Sequence, residues 1–117
     1  MRSDGDIKQM LFALGLCAKA GKLIFGVPMI CEALKNRKLP VLVLSASDNA
    51  PNSAKRLRDR CAFYNVRLCV ADVDGETLAS AVGKSGRLSA VAVTDFHLGQ
   101  LVLSKLEENE RNENSGT

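Results

Sequence analysis

Lys19, Lys22, Lys35, Arg37 and Lys38 bracket an apolar-spaced segment that opens with Gly26-Val27-Pro28, and Glu32 is the only acid among them. A glycine closely followed by proline suits a helix start, because proline tolerates the first turn, where an N–H has no partner. The first N–H groups of a helix are unpaired within it, and its dipole places about half a positive charge there. Set beside Lys22, such an opening is an anion site. Without a side chain, Gly26 also lets a polymer backbone come close. A second stretch, Gly83-Lys84-Ser85-Gly86-Arg87, places two cations among glycines and suits phosphate contact. The same residues read equally as a strand-to-helix turn, a solvated cationic rim and a plain connector.

Catalytic chemistry is harder to assemble. His97 is the only histidine and falls one turn into a helical pattern, where it reads as solvated. Asp72 and Asp74 form a close carboxylate pair, but Asp-x-Asp before a helix is capping chemistry. Ala20-Gly21-Lys22 and Lys84-Ser85-Gly86-Arg87 have neither Walker nor dinucleotide-loop spacing. Ser47-Asp48 has no histidine partner in sequence. Cys17, Cys31, Cys61 and Cys69 form no C-x-x-C pair and sit inside apolar patterns, so they read as buried free thiols of a reducing cytoplasm. The chain reads as a non-enzyme that needs no cofactor or metal.

The elements that must position the cations follow from spacing. Ile7, Met10, Leu11, Leu14, Cys17 and Ala18 trace one helix face up to Gly21. Leu23–Phe25 is a very short strand, and Val27, Ile30, Cys31 and Leu34 form the buried stripe of the next helix. Val41–Leu44 is a continuous apolar run, the mark of a strand covered on both faces. A third helix buries Ala54, Leu57, Cys61 and Tyr64, and Val66–Val70 is a strand. Asp74 caps a short helix that Gly83 stops, Leu88–Val93 is the last strand, and Asp95 caps a helix to about Leu106. Alternating helices and buried strands predict a mostly parallel sheet with helices on both faces.

A chain of 117 residues is one domain here, with residues 1–6 frayed, a body over 7–106 and a charged, disordered tail over 107–117. The formal charge of +3 understates the body, because Glu107, Glu108, Glu110 and Glu113 face only Lys105 and Arg111 at the end of the chain. That basic excess permits a polyanion partner without requiring one. No segment is long and apolar enough for a membrane span or a signal peptide, so the protein reads as cytoplasmic, with no membrane partner. Phe12, Phe25, Phe63, Tyr64 and Phe96 are the only aromatic residues. Once the core takes its share, few rings remain to stack bases.

Four stretches together carry a resemblance: GLCAKAGKLIFG over Gly15–Gly26, LPVLVLSASD over Leu39–Asp48, RCAFYNV over Arg60–Val66, and LASAVGKSGRLSAVAVTD over Leu78–Asp95. Across roughly residues 7–106 the chain resembles the ribosomal kink-turn RNA-binding protein family, in particular its small bacterial YlxQ-type members. The resemblance implies a three-layer α/β/α sandwich around a mixed four-stranded sheet, in place of the mostly parallel one. It implies an RNA-binding protein of a ribosome or other RNP, with structured ribosomal or non-coding RNA as partner, a possible protein partner in the RNP, and a monomer in isolation. The family reads RNA through Gly-x-Asn-Glu-x-x-Lys at a helix start. Gly26 matches that glycine, whereas Pro28 takes the Asn position, Met29 the Glu position and Glu32 the Lys position. The family's base-cupping loop falls on Gly83–Ser89, with Leu88 as the apolar contact. The expected RNA-contacting set is Lys19, Lys22, Gly26, Val27, Pro28, Met29, Glu32, Lys35, Lys84, Arg87 and Leu88. A protein-interaction module on the same fold, using Pro28 and Met29 as contact surface, is the alternative.

Overall fold

The computed structural model describes the backbone of residues 4–115 and the side chains of residues 7–106. All nine expected elements are present: α1 (Asp4–Lys19), β1 (Leu23–Phe25), α2 (Val27–Lys35), β2 (Leu42–Ser45), α3 (Pro51–Phe63), β3 (Leu68–Val70), α4 (Gly75–Ala81), β4 (Ala90–Val93) and α5 (Phe96–Ser115). Both outer helices exceed the expected limits at Ile7 and Leu106. Apolar spacing marks only the part of a helix that touches the core, so it misses turns beyond it. The expectations for residues 1–3, 116 and 117 lie outside the described residues.

The sheet corrects the parallel expectation. Its order is β1-β4-β2-β3; β4 runs antiparallel to both β1 and β2, and only β2 and β3 pair in parallel. The mixed sheet implied by the resemblance is the one found. The reason lies in α4. It starts just after β3 and spans seven residues, about 10 Å. The loop behind it doubles back, and the Leu88 N–H donates to the Gly75 carbonyl at 3.0 Å. The chain therefore re-enters the sheet at the end where β3 left it, and β4 must run the other way. Alternation of helix and strand sets connectivity but leaves strand direction open.

Every residue of β2 and β4 is buried, so these central strands separate two packed layers. On one face Leu42, Leu44, Val91 and Val93 pack with Met10, Leu14 and Cys17 of α1, Leu78 of α4 and Val102 of α5. On the other, Val43, Ala90 and Ala92 pack with Ile30, Cys31 and Leu34 of α2 and Leu57 and Cys61 of α3. The four thiols are free, with Cys17, Cys31 and Cys61 buried. Burial pushes the Cys61 thiol up to about 11, with neighbouring Cys31 adding to the shift. The core is aliphatic, and this overturns the expectation that it would consume the rings. Phe12, Phe63 and Phe96 are 70%, 79% and 59% exposed. No described helix is long and apolar enough to cross a membrane.

Candidate functional site

β1 ends at Phe25, and Gly26 turns the chain into α2 with φ 87° and ψ 150°. That positive φ requires glycine in practice. The Gly26 N–H donates to the Ala90 carbonyl at 2.9 Å, which pins the turn to the start of β4. Helical bonding begins when the Ile30 N–H donates to the Gly26 carbonyl at 3.0 Å. No side chain caps the helix. The N–H groups of Val27 and Met29 thus lack a helical partner, and Pro28 has none to offer. The opening predicted from the sequence exists, one donor poorer than an ordinary helix start.

What surrounds it is partly what the sequence predicts. The loop between α4 and β4 leads into Ala90 and so lies beside Gly26. Lys84 brings its Nζ to 4.6 Å from the centre of the Phe25 ring, one residue before the opening. Pro28 and Met29 are exposed, Met29 at 61%. Leu88 is half-buried against the core and lines a recess of about 420 Å³ with Asp48, Asn49, Ser53 and Arg87. Val27 is buried in the layer of α2 and α3, so its side chain cannot meet a ligand and only its backbone is available. Arg87 is exposed but not free: its guanidinium pairs with Asp48, whose other carboxylate oxygen accepts the Gly75 N–H at 2.9 Å. Glu32 lies one turn further along α2, with Asn36 donating to its carboxylate at 3.4 Å.

The remaining cations sit elsewhere, which corrects the expectation of a lysine beside the opening. Leu23 pairs with Val93, and the Lys22 carbonyl accepts the Thr94 N–H, so Lys22 stands at the far end of β1. Four residues of extended chain place it about 13 Å from Gly26. Lys19, at the end of α1, is on that side too. Lys35 occupies the last turn of α2, about 13 Å along the helix from its mouth. Charge similarity along the sequence does not survive as one patch, because a strand and a helix each carry their two ends apart.

Sequence reasoning missed Asp48 and Phe25 as parts of this end of the molecule. Asp48 drew notice only as a residue without a histidine partner. Its pairing with Arg87 spans 39 residues and leaves no local signal.

A model of the ribosomal protein L7Ae/L30e/S12e/Gadd45 family matches residues 8–101. The chain belongs to this family. It is 31% identical to the RNA-binding protein YlxQ of Bacillus subtilis (strain 168) over 94 residues, which is 80% of this chain and 91% of that protein. It is 24% identical to the RNA-binding protein YlxQ of Enterococcus faecium, again over 94 residues, covering 80% and 89% of the two chains. A solved structure of a Bacillus halodurans protein of unknown function superposes with a TM-score of 0.77 at 27% identity, covering 85% of this chain and 97% of that one. The Giardia lamblia 15.5kD RNA binding protein superposes with a TM-score of 0.72 at 18% identity, covering 93% and 91%, and shares the L7Ae-type fold.

Proposed function

We propose that the protein binds structured RNA, without catalysis, through the mouth of α2 and the adjoining Gly83–Ser89 loop, as part of a ribosome or another RNP. The observation that carries this reading is the uncapped helix start at Gly26 with the Lys84 ammonium held over the neighbouring Phe25 ring. The mouth supplies backbone N–H groups and a dipole end, the adjoining loop supplies a cation, and phosphate contact sets position without reading sequence. Family membership and the RNA-binding names of the YlxQ relatives support it.

Recognition is then by shape and phosphate. Pro28 and Met29 offer no side-chain hydrogen bond to a base edge, and Glu32 repels phosphate where the family pattern has lysine. Each missing bidentate contact removes about 1–3 kcal/mol of base discrimination, by analogy with groove readout in DNA. Titration with kink-turn, bulged and plain duplex RNA tests this. All should bind at low salt with a log–log salt slope of magnitude about 3–5, and the kink-turn should be favoured by less than about tenfold. Absence of binding to all three ends the proposal.

Met29 and Pro28, exposed side by side, favour a second reading as a protein contact. A partner that survives nuclease treatment and is lost on Met29→Asp would establish it.

A further inference from the structure

α3 carries Lys55, Arg56, Arg58 and Arg60 against a single acid, Asp59. Lys55 takes that acid, with Nζ 3.0 Å from its carboxylate. Among the described residues, Arg56, Arg58 and Arg60 have no carboxylate partner. Arg56, Arg60 and Phe63 stand at i, i+4 and i+7, one stripe of the helix. Like charges one turn apart are destabilising, so helix stability does not call for this pair. The stripe ends at Phe63, 79% exposed, whose ring is held edge-on to Tyr64 with centroids 4.9 Å apart. Asp59, Arg60, Phe63 and Tyr64 line a recess of about 450 Å³ beside the ring.

Unneutralised guanidiniums leading to a solvent-facing ring match the requirements of an unpaired nucleotide strand. The guanidinium holds the phosphate and the ring face takes the base. α3 also starts beside the proposed site: β2 ends where Ser45 pairs with Ala90, and α3 then runs back alongside α2. A strand that leaves the mouth of α2 and follows α3 has about 18 Å of helix to travel before it reaches Phe63, the length of a few nucleotides. We propose that Arg56, Arg60 and Phe63 form a second RNA contact that takes a single-stranded segment flanking the structured element. The assignment rests on the RNA-binding reading above.

The test uses the full chain and two RNAs with the same bulged stem, one blunt and one extended by about eight unpaired nucleotides. The extension should tighten binding by roughly 5- to 150-fold, the range of a stacked base. Phe63→Ala should abolish most of that gain and leave affinity for the blunt RNA within about twofold, whereas Phe63→Trp keeps the gain. Arg56→Glu with Arg60→Glu should lower the salt slope on the extended RNA by about 1.4, at roughly 0.7 per single-strand phosphate. An extension that adds nothing overturns the proposal, as does a Phe63→Ala protein that melts normally and keeps the full gain. If the wild-type chain binds neither RNA, the RNA-binding reading fails first and takes this contact with it.

Discussion

The Lys84 ammonium rests 4.6 Å from the centre of the Phe25 ring, and that contact ties the loop before β4 to the residue that precedes the opening of α2. A cation held over an aromatic face keeps its charge and gives up some of its freedom, so an arriving phosphate meets a partly ordered partner. Lys22, also a lysine and closer to Gly26 in sequence, stands at the other end of β1.

That separation makes the two lysines distinguishable. Lys84→Glu should weaken RNA binding at least about tenfold and reduce the salt slope by about 1, uniformly across RNA sequences. Lys22→Glu should change affinity by less than about threefold and leave the slope intact, because at about 13 Å it lies beyond a Debye length in physiological salt. Filter binding across a salt series measures both. Equal losses for the two variants would mean that RNA spans the whole edge of the sheet.

Asp48 restrains Arg87 while supporting the fold, so its removal should move affinity and stability in opposite directions. Its carboxylate accepts the N–H of buried Gly75, and a buried donor left unpaired costs about 1–3 kcal/mol. Asp48→Ala should lower the melting temperature by roughly 4–8 °C per kcal/mol lost. With the carboxylate gone, Arg87 is free for phosphate, and RNA should bind a few-fold tighter in the same preparation. Calorimetry and a titration on one sample check both signs.

Much of this fold is legible in sequence because apolar spacing records which face of each element meets the core. The stripe Val27, Ile30, Cys31 and Leu34 is the buried face of α2 residue for residue. Strand direction is not legible, because it is set by how far α4 carries the chain before Leu88 bonds back to Gly75. The glycine opening can be read from Gly26 and Pro28 alone. Its neighbours cannot: Lys84 reaches Phe25 and Arg87 reaches Asp48 through packing of distant segments. Lys22 and Lys35 read as neighbours of the opening only when closeness in sequence stands for closeness in space; one extended strand and one helix each carry them about 13 Å away. The exposed rings are not legible for a similar reason: composition counts aromatics, whereas only packing shows that leucine, valine and alanine close the core while Phe12, Phe63 and Phe96 stay outside it.

Gly26 carries a backbone demand that space does not explain. A Cβ built there would meet only Pro28 Cδ at 3.9 Å, an ordinary contact, so a methyl group fits. The strain comes from φ 87° with ψ 150°, a region essentially confined to glycine, which costs a side-chain-bearing residue on the order of 1–3 kcal/mol. Gly26→Ala should therefore lower the melting temperature by several degrees, roughly 4–8 °C per kcal/mol. It should also weaken RNA binding, as a strained turn shifts the free N–H groups of α2. A melting curve unchanged within about one degree would show that the turn adopts another conformation in solution.

Asp74 offers a pH test with a fixed sign. Its carboxylate accepts the Thr77 N–H at 2.8 Å as the cap of α4, and this backbone bond is the main cause that holds its pKa below the ordinary 3.8. The Thr77 hydroxyl and the charge of Arg87 act in the same direction. A depressed folded-state value means that unfolding raises proton affinity. The cap's contribution is then complete above the unfolded value near 3.8 and is lost as pH falls through the lower, folded value. Asp74→Ala should therefore melt below the wild type at neutral pH, and the gap should narrow once the pH drops below about 4. Asp74→Asn, which keeps an accepting oxygen without the charge, should lie between them at neutral pH and show the shallower acid dependence of the alanine variant. Thermal melts of the three proteins through the acid range decide the matter: a wild-type-to-alanine gap that stays constant into strong acid would show that the carboxylate's charge adds nothing to the cap.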